Sequence, residues 1–132
     1  MFDVDRLDHI AFTATDLEGL TRWYETVFGM RRIHADVFAD VEGGQPLFLR
    51  AGSACVALFA ARDGVAPRPA TPADHNEHFA LVLDRENFEQ AQTDLAALDI
   101  PFEVWDHGIC DSLYLTDPEG HQIELVTYRA EV

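Results

Sequence analysis

Lysine is absent from this 132-residue chain. Its nine basic residues are all arginine, set against 24 acidic ones, for a formal charge of −15. Such a charge repels nucleic acid and anionic lipid, so neither nucleic acid nor a membrane is expected as a partner. Cysteine is nearly missing too. Cys55 and Cys110 lie in different segments, too few for a disulfide framework, and Cys55 within Ala54-Cys55-Val56-Ala57-Leu58-Phe59 reads as a small core residue. No apolar run approaches the roughly 18 to 20 residues of a membrane span, and Met1-Phe2-Asp3-Val4-Asp5 has neither the basic start nor the apolar stretch of a signal peptide. A cytoplasmic protein is therefore expected. Hydrophobic residues make up 48% and charged residues 25%, a globular balance, and the length allows one good core or two small cooperating ones.

What is present is the same series of elements twice. Arg6 to Ala14 reads as a strand, and Thr15-Asp16 offers side-chain oxygens to the free amides of a first helical turn. Leu17, Leu20, Tyr24, Val27 and Phe28 recur at helical spacing until Gly29. Strands are predicted near Arg31 to Phe38, Gln45 to Arg50 and Ser53 to Ala61, with turns at Gly43-Gly44 and Ala51-Gly52. Arg62 to Asn76 carries Pro67, Pro69 and Pro72 without apolar period and reads as a linker. A second set follows: a strand from His78 to Leu83 and a helix buried along Phe88, Ala91, Leu95 and Leu98. Three more strands complete it, from Pro101 to Trp105, Ser112 to Thr116 and His121 to Thr127, the last two joined by the turn Asp117-Pro118-Glu119-Gly120. The expected organisation is residues 1–61 as a first βαβββ module, 62–76 as linker and 77–132 as a second βαβββ module.

The duplication gives two histidines their meaning. Leu7-Asp8-His9-Ile10-Ala11 and Asn76-Glu77-His78-Phe79-Ala80 both carry His-x-Ala, and the histidines are 69 residues apart (78 − 9). One histidine on an apolar strand is usually an ordinary core or surface residue; two at equivalent positions, each beside a small alanine, point to ligands. Glu124, in Gln122-Ile123-Glu124-Leu125-Val126, adds a carboxylate on a third apolar strand. Two imidazoles and one carboxylate can hold a divalent metal while leaving positions open for substrate or dioxygen. His34, His75 and His121 are not expected to be ligands, and His75 is the one rival to His78.

These residues resemble the vicinal oxygen chelate superfamily, which includes glyoxalase I, fosfomycin and bleomycin resistance proteins and extradiol dioxygenases. The similar stretches are Leu7-Asp8-His9-Ile10-Ala11, Trp23 to Met30, and Leu113-Tyr114-Leu115-Thr116-Asp117-Pro118-Glu119-Gly120-His121-Gln122-Ile123-Glu124-Leu125. The resemblance implies an α+β fold, two βαβββ modules forming a half-barrel metal site with His9, His78 and Glu124 as ligands, and a homodimer in which one site draws on both chains. Four-ligand members carry a further carboxylate or amide where this chain has Cys55-Val56-Ala57-Leu58, so three protein ligands are implied.

Asp106-His107-Gly108 and Tyr114 look like the segment preceding the metal glutamate of catechol 2,3-dioxygenase-like proteins. The resemblance assigns His107 to acid and base work, to which imidazole is suited, and Tyr114 to hydrogen bonding a bound substrate oxygen. The expected activity is extradiol ring cleavage of a small catechol-type substrate with Fe(II), Mn(II) or Zn(II) being the other candidates. The alternatives are a fosfomycin resistance-type or glyoxalase-like metalloenzyme, and a non-catalytic binding protein of bleomycin resistance type. Ser112-Leu113-Tyr114 matches the Ser-x-Tyr of the fosfomycin group; Ala11 in place of an expected threonine and the absence of lysine count against it.

Overall fold

The structure is a computed structural model that describes residues 1–41, 45–62 and 77–130. The predicted linker beyond Arg62, its His75 and the turn at Gly43-Gly44 lie outside the described residues. The chain divides into two compact units, residues 1–67 and 68–132.

In the first unit the elements are β1 (Ile10–Ala14), α1 (Leu17–Phe28), β2 (Arg31–Ile33), β3 (Leu47–Ala51) and β4 (Ala54–Ala60). They form one sheet in the order β1-β4-β3-β2, with β1 parallel to β4 and the other pairs antiparallel. Asp16 caps α1 by accepting the Gly19 amide at 3.0 Å, and Gly29 ends it in the left-handed conformation at φ 61°. Both signals were legible locally. α1 buries Leu20, Thr21 and Tyr24, and β3 and β4 supply Leu49, Val56 and Leu58 as fully buried partners.

In the second unit β5 (Phe79–Val82), α2 (Arg85–Ala97), β6 (Glu103–Asp106), β7 (Cys110–Thr116) and β8 (Gln122–Tyr128) repeat that plan, in the sheet order β5-β8-β7-β6. Asp84 caps α2 through the Asn87 amide at 2.8 Å. Phe88 and Leu95 are its buried residues, packed in a core with Leu113, Ile123 and Leu125. Leu98, read as part of the buried stripe, is instead exposed, because α2 stops at Ala97 and Asp99 turns left-handed at φ 56°. The β7–β8 turn is tied by Asp117, whose Oδ1 accepts the amides of Glu119 and His121 at 2.9 and 3.0 Å. Cys55 and Cys110 are both buried free thiols.

Three further expectations change. β2 ends at Ile33 and does not run to Phe38: His34 adopts φ 59°, and its carbonyl accepts the Val37 amide at 3.1 Å, a turn that the apolar alternation of Ile33, Ala35 and Val37 conceals. β1 is shorter than predicted and begins after His9, just as β5 begins after His78. The two histidines thus sit one residue ahead of their strands. Within the described residues no helix is long and apolar enough to cross a membrane.

Register makes the internal equivalence concrete. Ile10 pairs with Val56 in the first sheet as Phe79 pairs with Ile123 in the second. One residue on, Ala11 pairs with Ala57 where Ala80 pairs with Glu124, so Ala57 holds in the first sheet the place of Glu124 in the second. Across the next ladder Phe48 faces Ala57 as Tyr114 faces Glu124.

Candidate metal centre

The second unit builds a polar cluster from three neighbouring positions of its sheet. Glu124 lies on β8 between Ala80 of β5 and Tyr114 of β7, and the small alanine leaves the carboxylate room. His78, immediately before β5, brings Nε2 to 2.8 Å from Glu124 Oε2, and the pair is mostly buried, at 24% and 13% side-chain exposure. Ser112, two residues before Tyr114 and so on the same face of β7, donates its hydroxyl to Glu124 Oε1 at 2.5 Å. The Tyr114 ring stands edge-on to His78 at 5.8 Å. Burial, with the Glu124 carboxylate second, raises the Tyr114 phenol above its ordinary value, so it stays a neutral donor through physiological pH.

His107 lies in the hairpin between β6 and β7, with Nε2 3.1 Å from the Tyr114 hydroxyl and its ring stacked on Trp105. That hairpin is clamped from outside. The Arg129 guanidinium reaches Asp106 at 2.7 Å and Asp111 at 2.5 Å, and Arg85 reaches Asp111 at 2.8 Å. The arginines hold both carboxylates below the usual range. Without that charge two acids would face each other at the base of the loop that carries His107.

In the first unit His9 presents Nδ1 to Asp8 Oδ2 at 2.7 Å, which leaves Nε2 as the nitrogen for a ligand role. Its ring stands edge-on to Phe48 at 5.3 Å, the counterpart of the His78–Tyr114 contact. Phe38 stacks on Phe48, and His34 meets it edge-on. His121 Nδ1 is engaged by Asp117 at 2.7 Å.

The donor set can be tested for fit. Two ligands at about 2.1 Å from a divalent ion and at a right angle to each other are about 3.0 Å apart. The His78–Glu124 separation of 2.8 Å is already close to that edge, and imidazole with carboxylate is a set that Mn(II), Fe(II) and Zn(II) all accept. Among the described residues no three His, Cys, Asp or Glu side chains are gathered as a metal cage. Within the second unit His78 and Glu124 form a pair of such side chains in contact.

Sequence reasoning singled out His78, Glu124, His107 and Tyr114, and the second unit brings these four together. It missed the tie of Ser112 to Glu124, the Arg129 clamp and the partnering of Asp8 with His9. Ser112 stood out only within Ser-x-Tyr, without its acceptor, and an acid precedes both His9 and His78, Asp8 and Glu77.

The profile of the Glyoxalase/Bleomycin resistance protein/Dioxygenase superfamily matches residues 6–125, and the chain belongs to that family. Among curated relatives, metallothiol transferase FosB of Lysinibacillus sphaericus is 26% identical over 94% of this chain and 83% of its own length. The FosB of Staphylococcus epidermidis is 27% identical over 95% and 83%. Solved structures share the fold: fosfomycin resistance protein FosX from Mesorhizobium loti, 23% identical, has a TM-score of 0.66 over 95% of this chain and 93% of its own. A glyoxalase family protein from Bacillus anthracis, 18% identical, has a TM-score of 0.74 over 98% and 99%.

Proposed function

We propose that this protein is a metal-dependent enzyme of the fosfomycin-modifying kind, which opens a strained C–O ring in a small oxygen-rich substrate with a thiol or water. The observation that carries this reading is the similarity to metallothiol transferases over nearly the whole chain. It displaces the expectation of Fe(II)-dependent ring cleavage, which these relatives do not support. His9, His78 and Glu124 are the proposed ligands. A divalent ion held there would supply Lewis acidity, drawing charge from substrate oxygens. A homodimer with sites drawn from both chains remains part of the proposal.

The chain's own groups supply the proton chemistry. In ring opening the sulfur or water oxygen bonds to a ring carbon, the C–O bond breaks, and the proton lost by the nucleophile ends on the ring oxygen. Tyr114, kept neutral by burial, is suited to give that proton, and His107 at 3.1 Å to replace it. Charge on an anionic substrate group would be met by arginine, since the chain has no lysine.

The His107–Tyr114 contact is also what ring cleavage needs, and that second reading rests on it. The experiment is to load the protein with Mn(II), add fosfomycin with cysteine or glutathione or with water alone, and follow phosphorus by NMR; in parallel, Fe(II)-loaded protein is given catechols under an oxygen electrode. A thiol or diol adduct supports the proposal. Oxygen uptake with no change in fosfomycin replaces it with the second reading.

A further inference from the structure

We propose that Ser112 is a positioning residue that makes Glu124 a one-oxygen metal ligand; this rests on the metal-holding role proposed for His78 and Glu124. Ser112 is completely buried, at 0% exposure, on a strand whose neighbours Leu113 and Leu115 are core. A serine hydroxyl removed from water needs a partner, and Ser112 finds it in Glu124 Oε1 at 2.5 Å. The diagonal placement explains the reach. Ser112 faces Val126 across the ladder, one same-face step from Glu124, a span that a short side chain and a long one can bridge.

The two carboxylate oxygens are thereby given different work. Oε1 is committed to the buried hydroxyl, while Oε2 faces His78 Nε2 at 2.8 Å. For both oxygens to turn to an ion, Glu124 would have to leave Ser112 without this acceptor, at the cost that attaches to breaking a buried, charge-assisted bond. An ion held by His78 and Glu124 would then take a single oxygen from the carboxylate.

The first unit differs at the equivalent place: where Glu124 stands in the second sheet the first has Ala57, and its strand β3 starts at Leu47, one residue before Phe48, so nothing in its ladder corresponds to Ser112.

The test is calorimetric titration of Mn(II) and Zn(II) into the apo forms of wild type, Ser112→Ala and Ser112→Thr. It is paired with infrared measurement of the carboxylate stretches on metal addition and with melting of each apo form. Loss of the hydroxyl should weaken metal binding about 10- to 100-fold. It should also narrow the splitting between the carboxylate stretches toward the two-oxygen pattern, while Ser112→Thr keeps wild-type affinity and splitting. Wild-type affinity and splitting in Ser112→Ala, or equal losses in both variants, would overturn the proposal and leave the metal site standing. A wild-type protein that binds neither ion would overturn the metal reading and this proposal with it.

Discussion

Replacing Glu124 with glutamine changes one charge and almost nothing else. The amide is the same size, its oxygen can still accept from Ser112, and its nitrogen can donate toward His78 Nε2, so both contacts at 2.5 and 2.8 Å have a substitute. The apo fold should therefore melt close to wild type. Metal binding should not survive. Loss of an outer partner alone costs about 10- to 100-fold, so loss of the anionic ligand itself should exceed about 100-fold. His78 Nε2 and Glu124 Oε2 already stand 2.8 Å apart, close to the spacing that two ligands of one ion would have, so binding in the wild type is expected to need little rearrangement of this pair.

The effect can be put on a thermometer. An ion at 100 times its Kd stabilises the native state by about 2.7 kcal/mol. At about 2.1 cal/mol/K per residue, 132 residues unfolding as one unit have an entropy of about 0.28 kcal/mol/K, so Tm should rise by about 10 °C. At the same ion concentration Glu124→Gln should rise by less than about 2 °C, because the ion is then at or below its weakened Kd. The assay is melting followed by circular dichroism with and without Mn(II), with calorimetry to fix Kd. An equal metal-induced rise in wild type and variant would refute Glu124 as a ligand.

Other outcomes follow from the same geometry. Tyr114→Phe and His107→Ala should each lower kcat by about 10²- to 10⁴-fold, and the double variant should be little worse than either, since both groups serve one proton; multiplicative losses in steady-state kinetics would separate them. Asp8, Asp106 and Asp111 have folded pKa values below their ordinary ones, chiefly through His9 for Asp8 and Arg129 for the other two. Their stabilising contribution is complete above the unfolded carboxylate value of about 3.9 and is lost as pH falls through the lower folded values. Urea unfolding from pH 7 to pH 2 should show that loss below about pH 4. Arg129→Gln should shrink it, and an unchanged profile would mean that the clamp carries no stability.

Much of the fold lay in local signals. Asp16 and Gly29 mark the ends of α1, and the Asp-Pro-Glu-Gly turn marks the junction of β7 and β8, because capping and turn chemistry act within a few residues. Duplication made His9 and His78 stand out although no partner was visible. His34 shows where such reading stops: an alternating pattern continues past Ile33, but the backbone turns left-handed there.

Tertiary structure decided what the duplication could not. Which residue faces Glu124 depends on the register of two ladders, and a slip of one residue would turn each of these side chains to the opposite face. Only that register identifies Ala57 as the counterpart of Glu124, gives Ser112 its acceptor and sets Tyr114 beside His107. Arg129 reaches Asp111 across 18 residues of chain, a contact that no local pattern encodes because its energy arises only when β7 and the end of β8 are already paired. The sequence by itself determined the order of the elements and singled out two histidines and a glutamate. The sheet, by pairing distant strands, decided which of those groups meet.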